Sequence, residues 1–355
     1  MARLNQLKLL EELIAIPSVS GDDQVCKKII HFARSKLTEE DIESRTVTRA
    51  GKPILLWGQL NLQESKWLIN THLDVVPATP AQFVTKITKD KIWGRGTADT
   101  KWASATLLSI SKEQVELATS KNITFMLVVD EEIGGESTKV LLSEMKGLSG
   151  AIFLEPTQEK IVLEAKGIMQ MKIIARGKTC HGSRPWEGIN AIEMLVQGLA
   201  TFRIRNPIPL SETKNTTFNF STISGGQAIN QVPDKAELWC DIRFNPHSKI
   251  EDVITQLQTC FGGCEVAVIK NESAIDCAKS ALVVKNLSMA MRQNSKNPLF
   301  AFDHGSSDAR HSTKLSIPSL VFGIKGKGLH SEEEWGSLKS IKKIGSILDT
   351  WISLL

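Results

Sequence analysis

Five short, almost entirely apolar segments constrain the fold of this chain more than any other feature of its sequence. They are PILLWGQL (53–60), KWLINT (66–71), ITFMLVV (123–129), GAIFL (150–154) and IPSLVFG (317–323). Strands that are buried on both faces have this character. Stretches with helical spacing lie between them, at 3–15, 23–36, 101–118 and 137–145. Strands that alternate with helices predict an α/β layer around a largely parallel sheet.

The pattern changes between residues 168 and 276. The segments here are IMQMKIIARG, GINAIEMLVQGLATF, TTFNFSTISGG, AELWCDIRFNP, a helix at 249–261 and a strand at 264–270. Their strand, helix, strand, strand, helix, strand order is that of the split βαβ, or ferredoxin-like, α+β sandwich. The α/β character returns after residue 277 and ends in an amphipathic helix at 337–354. We therefore predict one domain built from 1–167 and 277–355, with a smaller domain inserted at 168–276.

Composition excludes several classes of protein. The chain has 355 residues, of which 41% are apolar and 23% charged, as in an ordinary globular protein large enough for two domains. Its net charge of +4 is dispersed, which predicts no nucleic-acid partner, and its apolar runs are too short to span a bilayer. The six cysteines lack disulfide or zinc-finger spacing, and charged residues interrupt the N-terminal segment, unlike in a signal peptide. We expect a cytoplasmic protein without a membrane partner.

Acidic and imidazole side chains follow the strand-like segments or lie in a nearby glycine-containing loop. They are His72, Asp74, Asp99, Glu131, Glu132, Glu155 and His330. Taken singly, each has an ordinary explanation, such as a strand end, a helix cap or a solvated loop carboxylate. Because ligands bind at the carboxyl ends of strands in parallel sheets, these side chains should meet on one rim and hold metal. Residues two apart on a strand share a face, so Asp74 would orient the imidazole of His72.

Charge indicates how many metal ions the rim would hold. Asp99, Glu132 and Glu155 supply three negative charges and a bridging hydroxide would add a fourth, which two divalent cations neutralise. Mixed histidine and carboxylate ligands with open positions suit catalytic zinc, with cobalt or manganese as substitutes in vitro. Glu131 stands beside a ligand without being one, and we predict that it is the general base.

The whole set resembles the motif pattern of the co-catalytic dinuclear-zinc aminoacylase and carboxypeptidase family, in particular its acetylornithine deacetylase and succinyl-diaminopimelate desuccinylase group. The resemblance implies that Asp99 bridges two zinc ions, with His72 and Glu155 on one, and Glu132 and His330 on the other. It also implies a zinc-peptidase-like catalytic domain, an inserted lid and dimerisation domain, and a homodimer. A metal-bridging hydroxide, activated by the predicted base, would attack an amide carbonyl.

The resemblance extends to residues that would contact the substrate. In KTCHGSRPWEGINAI, His181 matches the family histidine that stabilises the oxyanion, typically from the partner subunit; the alternative is an ordinary loop histidine. In SGGQAINQVPDKAELWCDIRFNP, Asn230 would donate to the oxyanion, and Arg243 would hold a substrate carboxylate or form an ion pair in the sheet. In DHGSSDARH, Arg310 is a substrate-binding or structural arginine and Asp308 a turn cap.

Three functions are compatible with these residues. The first is a hydrolase that cleaves the amide bond of an N-acyl amino acid, as a deacetylase or desuccinylase in amino-acid biosynthesis. The second is a metallo-carboxypeptidase or dipeptidase that acts on short peptides with the same metals and base. The third is a non-catalytic binding protein, for which the loss of Glu131 or of a ligand would be the signature. All of these residues are present, so we expect an enzyme.

Overall fold

The computed structural model describes residues 6–355 and divides the chain into two compact units. The first unit comprises the residues up to Glu164 together with Asp276–Phe302 and Ser307–Leu355, and the second comprises Ala165–Ile275 and Asp303–Ser306. The insertion expected at 168–276 begins three residues later than the second unit and ends one residue later. The sequence places residues 303–306 in the larger domain, whereas the structure groups them with the second unit. The first three residues of the helix expected at 3–15 lie outside the described residues.

The elements follow one another along the chain as the apolar periodicity indicates. The α-helices are α1 (Gln6–Ile14), α2 (Asp23–Glu39), α3 (Lys101–Leu108), α4 (Lys112–Ser120), α5 (Glu136–Glu144), α6 (Ala191–Arg205), α7 (Ile250–Cys260), α8 (Leu282–Gln293), α9 (Arg310–Lys314) and α10 (Leu338–Leu354). The strands are β1 (Ser44–Arg49), β2 (Lys52–Gly58), β3 (Trp67–His72), β4 (Lys86–Thr88), β5 (Lys91–Trp93), β6 (Ile123–Val128), β7 (Gly150–Leu154), β8 (Ile161–Ala165), β9 (Gly167–Arg176), β10 (Thr217–Gly225), β11 (Lys235–Phe244), β12 (Glu265–Glu272), β13 (Ile275–Asp276), β14 (Phe300–Asp303), β15 (Ser319–Phe322), β16 (Gly326–Lys327) and β17 (Trp335–Ser337).

The first unit is built on one mixed sheet in the order β1-β2-β6-β3-β7-β15-β8-β13, with β14 also paired to β8. The central strands β6, β3, β7 and β15 are parallel, whereas β1, β2 and β8 run antiparallel to their neighbours. Every residue of the four central strands is buried, which explains their almost purely apolar sequences. The prediction of an α/β fold with a parallel-rich sheet is confirmed.

Helices pack on this sheet and complete the core of the first unit. α3 is buried over its whole length, and the indole of Trp57 stacks on Phe125 with ring centroids 5.2 Å apart. The single helix expected at 101–118 is divided between α3 and α4. The second helix begins where the side chain of Ser111 accepts a hydrogen bond from the backbone of Gln114, as an N-cap does.

The second unit contains a four-stranded antiparallel sheet in the order β10-β11-β9-β12. Buried and partly exposed residues alternate along β9 and β11, as in strands with one covered face. Residues of α6 and α7 pack against the buried face and form a core separate from that of the first unit. The element order is the split βαβ sandwich that the sequence predicts.

A third, small sheet of the first unit has the order β16-β17-β5-β4. Strand β5 leads into the glycine-containing loop of Asp99, and the β16–β17 hairpin encloses His330. The small sheet therefore brings together two loops that are far apart in the sequence. Among residues 6–355, none of the helices combines the length and the apolar character that crossing a membrane requires.

Candidate metal centre

The carboxyl ends of three parallel strands bring candidate ligands to one rim. His72 is the last residue of β3, Glu155 directly follows β7, and Glu132 lies in a 3-10 turn just beyond β6. Because β3 pairs with both β6 and β7, the ends of these strands are adjacent. Asp99 reaches the rim from the loop between β5 and α3, and His330 from the loop between β16 and β17.

These five side chains form two groups that share Asp99. In the first group, Nε2 of His72 lies 3.3 Å from Oδ1 of Asp99 and 3.7 Å from Oε1 of Glu155. In the second, Nε2 of His330 lies 3.1 Å from Oδ2 of Asp99 and 3.2 Å from Oε2 of Glu132. Within each group the candidate ligand atoms all lie within 4.8 Å of one another. The two oxygens of Asp99 face different histidines, so each oxygen is available to one of the two candidate ligand groups.

The chemistry of this donor set fits divalent cations. The imidazole of His72 is 1% exposed, and its Nε2 has no hydrogen-bond partner. Burial, together with the nearby charge of Asp99, raises the pKa of the Glu132 and Glu155 carboxyls to about 7. A cation between these groups would engage the free nitrogen and remove the electrostatic cost of gathering carboxylates in a buried place.

Asp74 joins the end of β3 to the turn beyond β6. Its carboxylate is buried and accepts hydrogen bonds from Oγ of Ser20 at 2.7 Å and from the backbone amides of Glu131 and Glu132 at 3.3 and 3.2 Å. Nδ1 of His72 lies 2.9 Å from the backbone carbonyl oxygen of Asp74 and 3.3 Å from its carboxylate. The residue expected to orient the histidine is therefore in contact with it, and it also holds the turn that carries both glutamates.

Glu131 belongs to neither ligand group. Burial, reinforced by the charges of Asp308 and Glu155, raises the pKa of its carboxyl well above the usual value. Its Oε1 lies 3.8 Å from Nη1 of Arg310. A carboxylate beside the ligands, with a raised pKa and without a ligand position of its own, has the properties of a general base.

The segment SDAR (307–310) contacts Glu131 through Arg310. Arg310 is only 4% exposed, and its Nη2 donates to the carbonyl oxygen of Gly134 at 2.6 Å. Asp308 accepts a hydrogen bond from Oγ1 of Thr138, and burial raises its pKa to about 6. His311 is also buried, and its Nε2 lies 3.2 Å from the Gly134 carbonyl. These contacts match the structural interpretation of Arg310 more closely than the substrate-binding one.

In the second unit, His181 and Asn230 lie on neighbouring, exposed segments. The amide of Gly182 donates to the carbonyl oxygen of Asn230 at 2.7 Å, and Nδ1 of His181 lies 2.7 Å from Oγ of Ser183. Arg243 lies on β11, where its Nε donates to Asp241 at 2.7 Å, as in the alternative interpretation of an ion pair in the sheet.

Glu334 was not identified from the sequence. It is 1% exposed and contacts the loop of Asp99, although it lies four residues after His330. A glutamate in the run SEEE carries no local signal of burial, since solvated loops commonly contain such runs. The one indication in the sequence is that Glu334 lies four residues after the predicted ligand His330.

Comparison with known proteins supplies the family. Residues 163–263 match the peptidase dimerisation domain of the M20 family. An M20 domain-containing peptidase of Schizosaccharomyces pombe is 31% identical over 253 residues, which cover 67% of this chain and 60% of that protein. A probable carboxypeptidase of Aspergillus terreus is 30% identical over 193 residues, which cover 50% of this chain and 45% of the relative. The chain thus spans less than two thirds of the length of these curated relatives.

Solved structures share the fold of the whole chain. Aminopeptidase PepT from Bacillus cereus has a TM-score of 0.80 and 21% identity, with 99% of each chain covered. An M20 family metallo-carboxypeptidase from Sulfolobus solfataricus has a TM-score of 0.75 and 17% identity, with 98% of each chain covered. With its sequence relatives, its fold and the match at residues 163–263, the chain belongs to the M20 peptidase family and carries that family's dimerisation domain.

Proposed function

We propose that this protein is a metal-dependent hydrolase that cleaves an amide bond of a short peptide, as a carboxypeptidase or dipeptidase. The observation that carries the proposal is the pair of ligand groups that share Asp99, with the buried carboxylate of Glu131 beside them. The peptide substrate is supported by the relatives, which include a probable carboxypeptidase, and by fold neighbours that are an aminopeptidase and a metallo-carboxypeptidase.

In this proposal His72, Asp99 and Glu155 hold one divalent cation, and Asp99, Glu132 and His330 hold a second. Zinc suits this mixture of imidazole and carboxylate donors, and cobalt or manganese would replace it in vitro. When bound, the ions would polarise the scissile carbonyl and lower the pKa of water toward neutrality. Nε2 of His72, which is buried and forms no hydrogen bond, supports the first position.

The residues of the chain supply the proton transfers. Glu131, whose pKa is raised by burial, would take a proton from the attacking water and return it to the leaving amine. Asp74 would keep the Glu131 turn in register with His72 through its hydrogen bonds to both segments. Arg310, lying against Glu131 and Gly134, would fix the direction of the base.

His181 and Asn230 are proposed as donors to the substrate carbonyl oxygen as it gains negative charge. The support is the family resemblance, together with the exposure of both residues on adjacent segments. Donors of this kind are typically worth about 3 to 4 kcal/mol of transition-state stabilisation. Arg243 would have to leave Asp241 in order to bind a substrate carboxylate.

A second candidate is the hydrolysis of N-acyl amino acids, as in the acetylornithine deacetylase and succinyl-diaminopimelate desuccinylase group. It is favoured by the segment DHGSSDARH, which is similar to the glycine-rich loop of that group. Both functions use the same metals and base, and they differ in what occupies the two sides of the scissile bond.

One substrate panel separates the candidates. The zinc-loaded protein would be given dipeptides, N-blocked peptides with a free carboxylate, C-amidated peptides, N-acetylornithine and N-succinyl-diaminopimelate, with amine release as the readout. Cleavage of N-blocked but not C-amidated peptides indicates a carboxypeptidase, and cleavage of free dipeptides alone indicates a dipeptidase. Faster turnover of an acylated amino acid would favour the second candidate. No turnover of any compound by a protein with two bound metals would contradict both.

In the same panel, an unchanged rate for His181→Ala would remove that residue from the mechanism.

A further inference from the structure

The side chain of Glu334 is fully buried and accepts an unusual number of hydrogen bonds from one loop. Its Oε1 lies 2.9 Å from the backbone nitrogen of Gly96, 2.9 Å from that of Ala98 and 3.1 Å from that of Asp99. A single oxygen therefore satisfies three amides of the segment that ends at the shared candidate ligand. Such charge-assisted hydrogen bonds are roughly twice as strong as neutral ones.

The other oxygen of the same carboxylate pairs with the start of this loop. Oε2 of Glu334 lies 2.5 Å from Nη1 of Arg95, whose side chain is 3% exposed. The backbone carbonyl of Glu334 also accepts from the amide of Gly94 at 3.1 Å. Residues 94–99 are thus wrapped around one glutamate, and the paired arginine compensates its buried charge.

Glu334 also belongs to the loop that carries His330, the exposed ligand candidate. It lies between His330 and β17, in the hairpin that β16 and β17 form. His330 adopts a left-handed φ of +61°, which is uncommon outside glycine. The geometry of this hairpin loop sets the 3.1 Å approach of His330 to Asp99. Glu334 is the side chain that joins the hairpin loop to the Asp99 loop.

We infer that Glu334 is a positioning residue that holds Asp99 and His330 in the arrangement needed to bind two cations. This inference rests on the proposed function, because it takes both residues as metal ligands. Removal of the carboxylate would leave three amides and a buried guanidinium without their acceptor. The loop would then rearrange, and with it the carboxylate that both cations share. Partners that orient metal ligands typically change metal affinity by about 10- to 100-fold when they are substituted.

The test compares Glu334→Ala and Glu334→Gln with the wild-type chain. Gln retains the length of the side chain and an oxygen that can accept from the three amides, but it loses the ion pair with Arg95. Cobalt would be titrated into each full-length, metal-free protein, and its visible absorption would report affinity and ligand geometry. Amide hydrogen exchange of the peptide containing residues 94–99 would be measured without metal. Glu144→Gln is the matched control, because Glu144 pairs with Arg49 at 2.6 Å in the same unit, away from both loops.

We expect Glu334→Ala to bind cobalt about 10- to 100-fold more weakly, with an altered spectrum and faster exchange at 94–99. Glu334→Gln should lie between Ala and the wild type, and Glu144→Gln should match the wild type. If the Ala variant does not fold, the same shifts in Glu334→Gln carry the inference. Wild-type cobalt affinity and spectrum in Glu334→Ala, or in Glu334→Gln where the Ala variant does not fold, would overturn it and leave the proposed function standing. A wild-type chain that binds no cobalt would overturn the proposed function and this inference with it.

Discussion

Glu131 and Glu132 are adjacent in the sequence, yet the structure gives their carboxylates different surroundings. Glu132 lies 3.2 Å from His330 within a ligand group, whereas Glu131 lies 3.8 Å from Arg310 and outside both groups. The carboxylate of Asp74 accepts hydrogen bonds from the backbone amides of both glutamates, so the turn that carries them is held in place. Two neighbouring side chains of the same type can therefore take different parts in one reaction.

At the scale of this residue, Glu131→Ala should lower kcat at least about a hundredfold while two metal ions stay bound. The reason is that the role proposed for Glu131 is a proton transfer, and that it belongs to neither ligand group. Steady-state kinetics on the best substrate of the panel, with metal content by elemental analysis, would check this. Glu136→Ala, an exposed glutamate on α5, should leave both quantities unchanged. A Glu131 variant that keeps most of its activity would contradict the assignment of the base.

At Gly135, a single added side-chain carbon would clash with a buried carboxylate. Its φ is +61°, and an added Cβ would lie 1.7 Å from Oδ1 of the buried Asp308. Gly51 also has a positive φ, of +77°, but an added Cβ there meets nothing within 4 Å. Gly51→Ala should thus cost only the backbone strain, about 1 to 2 kcal/mol of unfolding free energy. Gly135→Ala should cost roughly 1 to 3 kcal/mol more, because a packed carboxylate must move. Urea unfolding of both variants compares them, and equal losses would refute the steric argument.

The residues at the strand ends could be predicted from the sequence, because the apolar strands mark where the rim of a parallel sheet must lie. The residues that support them could not. Ser20 contacts Asp74, Glu334 contacts Asp99 and Asp308 contacts Thr138 on α5. Each pair is far apart in the sequence, and no local periodicity encodes these contacts. For Arg243, the sequence predicts the strand but not the partner of the side chain. Its ion pair with Asp241 depends on side-chain geometry, which the sequence leaves open.

At the scale of elements, the two ligand groups differ in the element that carries their histidine and in how far that histidine is exposed. His72 ends a central strand and its side chain is 1% exposed, whereas the His330 side chain on the hairpin loop is 54% exposed. We expect a chelator to remove the cation of the Asp99, Glu132 and His330 group first, giving a biphasic loss of metal. His330→Ala should retain about one metal per chain. Stopped-flow chelation with a colorimetric indicator would measure both phases. A single phase that releases two equivalents together would contradict the difference between the groups.

Glu159 connects elements of the first unit away from the rim. It lies between β7 and β8, accepts a hydrogen bond from Oγ of Ser340 on α10 at 2.7 Å, and pairs with Lys296 just beyond α8. Burial alone would raise its pKa, but Lys296 and Ser340 outweigh it and lower the pKa. A lowered carboxyl pKa stabilises the fold above the unfolded value of about 4.3, and this contribution is lost as the pH falls through the folded value.

Glu159→Gln should accordingly lower the free energy of unfolding by about 1 to 3 kcal/mol at pH 7. The difference from the wild type should begin to shrink as the pH falls below the unfolded value of about 4.3, and it should disappear once the pH has fallen through the lowered pKa of the folded carboxyl. Denaturant unfolding between pH 3 and pH 7 would follow it. Glu136→Gln breaks an exposed pair with Lys139 and should cost no more than about 0.5 kcal/mol. A Glu159 effect that is constant across this pH range would show that packing, not charge, is lost.

The longer elements could be predicted from apolar periodicity, and the shorter ones could not. The β-α-β-β-α-β order of the second unit and the central strands of the main sheet agree with the sequence. The strands of the small sheet contain only two or three residues, too few for an alternation to be recognised. The break between α3 and α4 was missed because Ser111 is also tolerated inside a helix, and only its contact with Gln114 reveals a cap.

At the scale of the whole molecule, the dimerisation-domain match leads us to expect a homodimer. Strand β10 is an edge of the second unit's sheet, and its Ile223 is 50% exposed. The adjacent α6 exposes Val196 and Ile204, 53% and 84%, so this edge carries an apolar surface. Ile223→Glu should weaken the dimer at least about tenfold, as measured by sedimentation. Ile269→Glu is the matched control, because Ile269 is 53% exposed on the opposite edge strand β12. Dissociation by the control alone would place the interface on β12.

The strand order of the main sheet also bears on the synthesis of the protein. Strand β7 lies between β3 and β15, yet the residues of β15 are made only after the whole second unit. Until then the apolar segment GAIFL has one unpaired edge, of the kind that attracts chaperones or other strands. His330 and Glu334 emerge later still. A nascent chain therefore cannot assemble both ligand groups, and any hydrolytic activity would be withheld, until these residues have been synthesised.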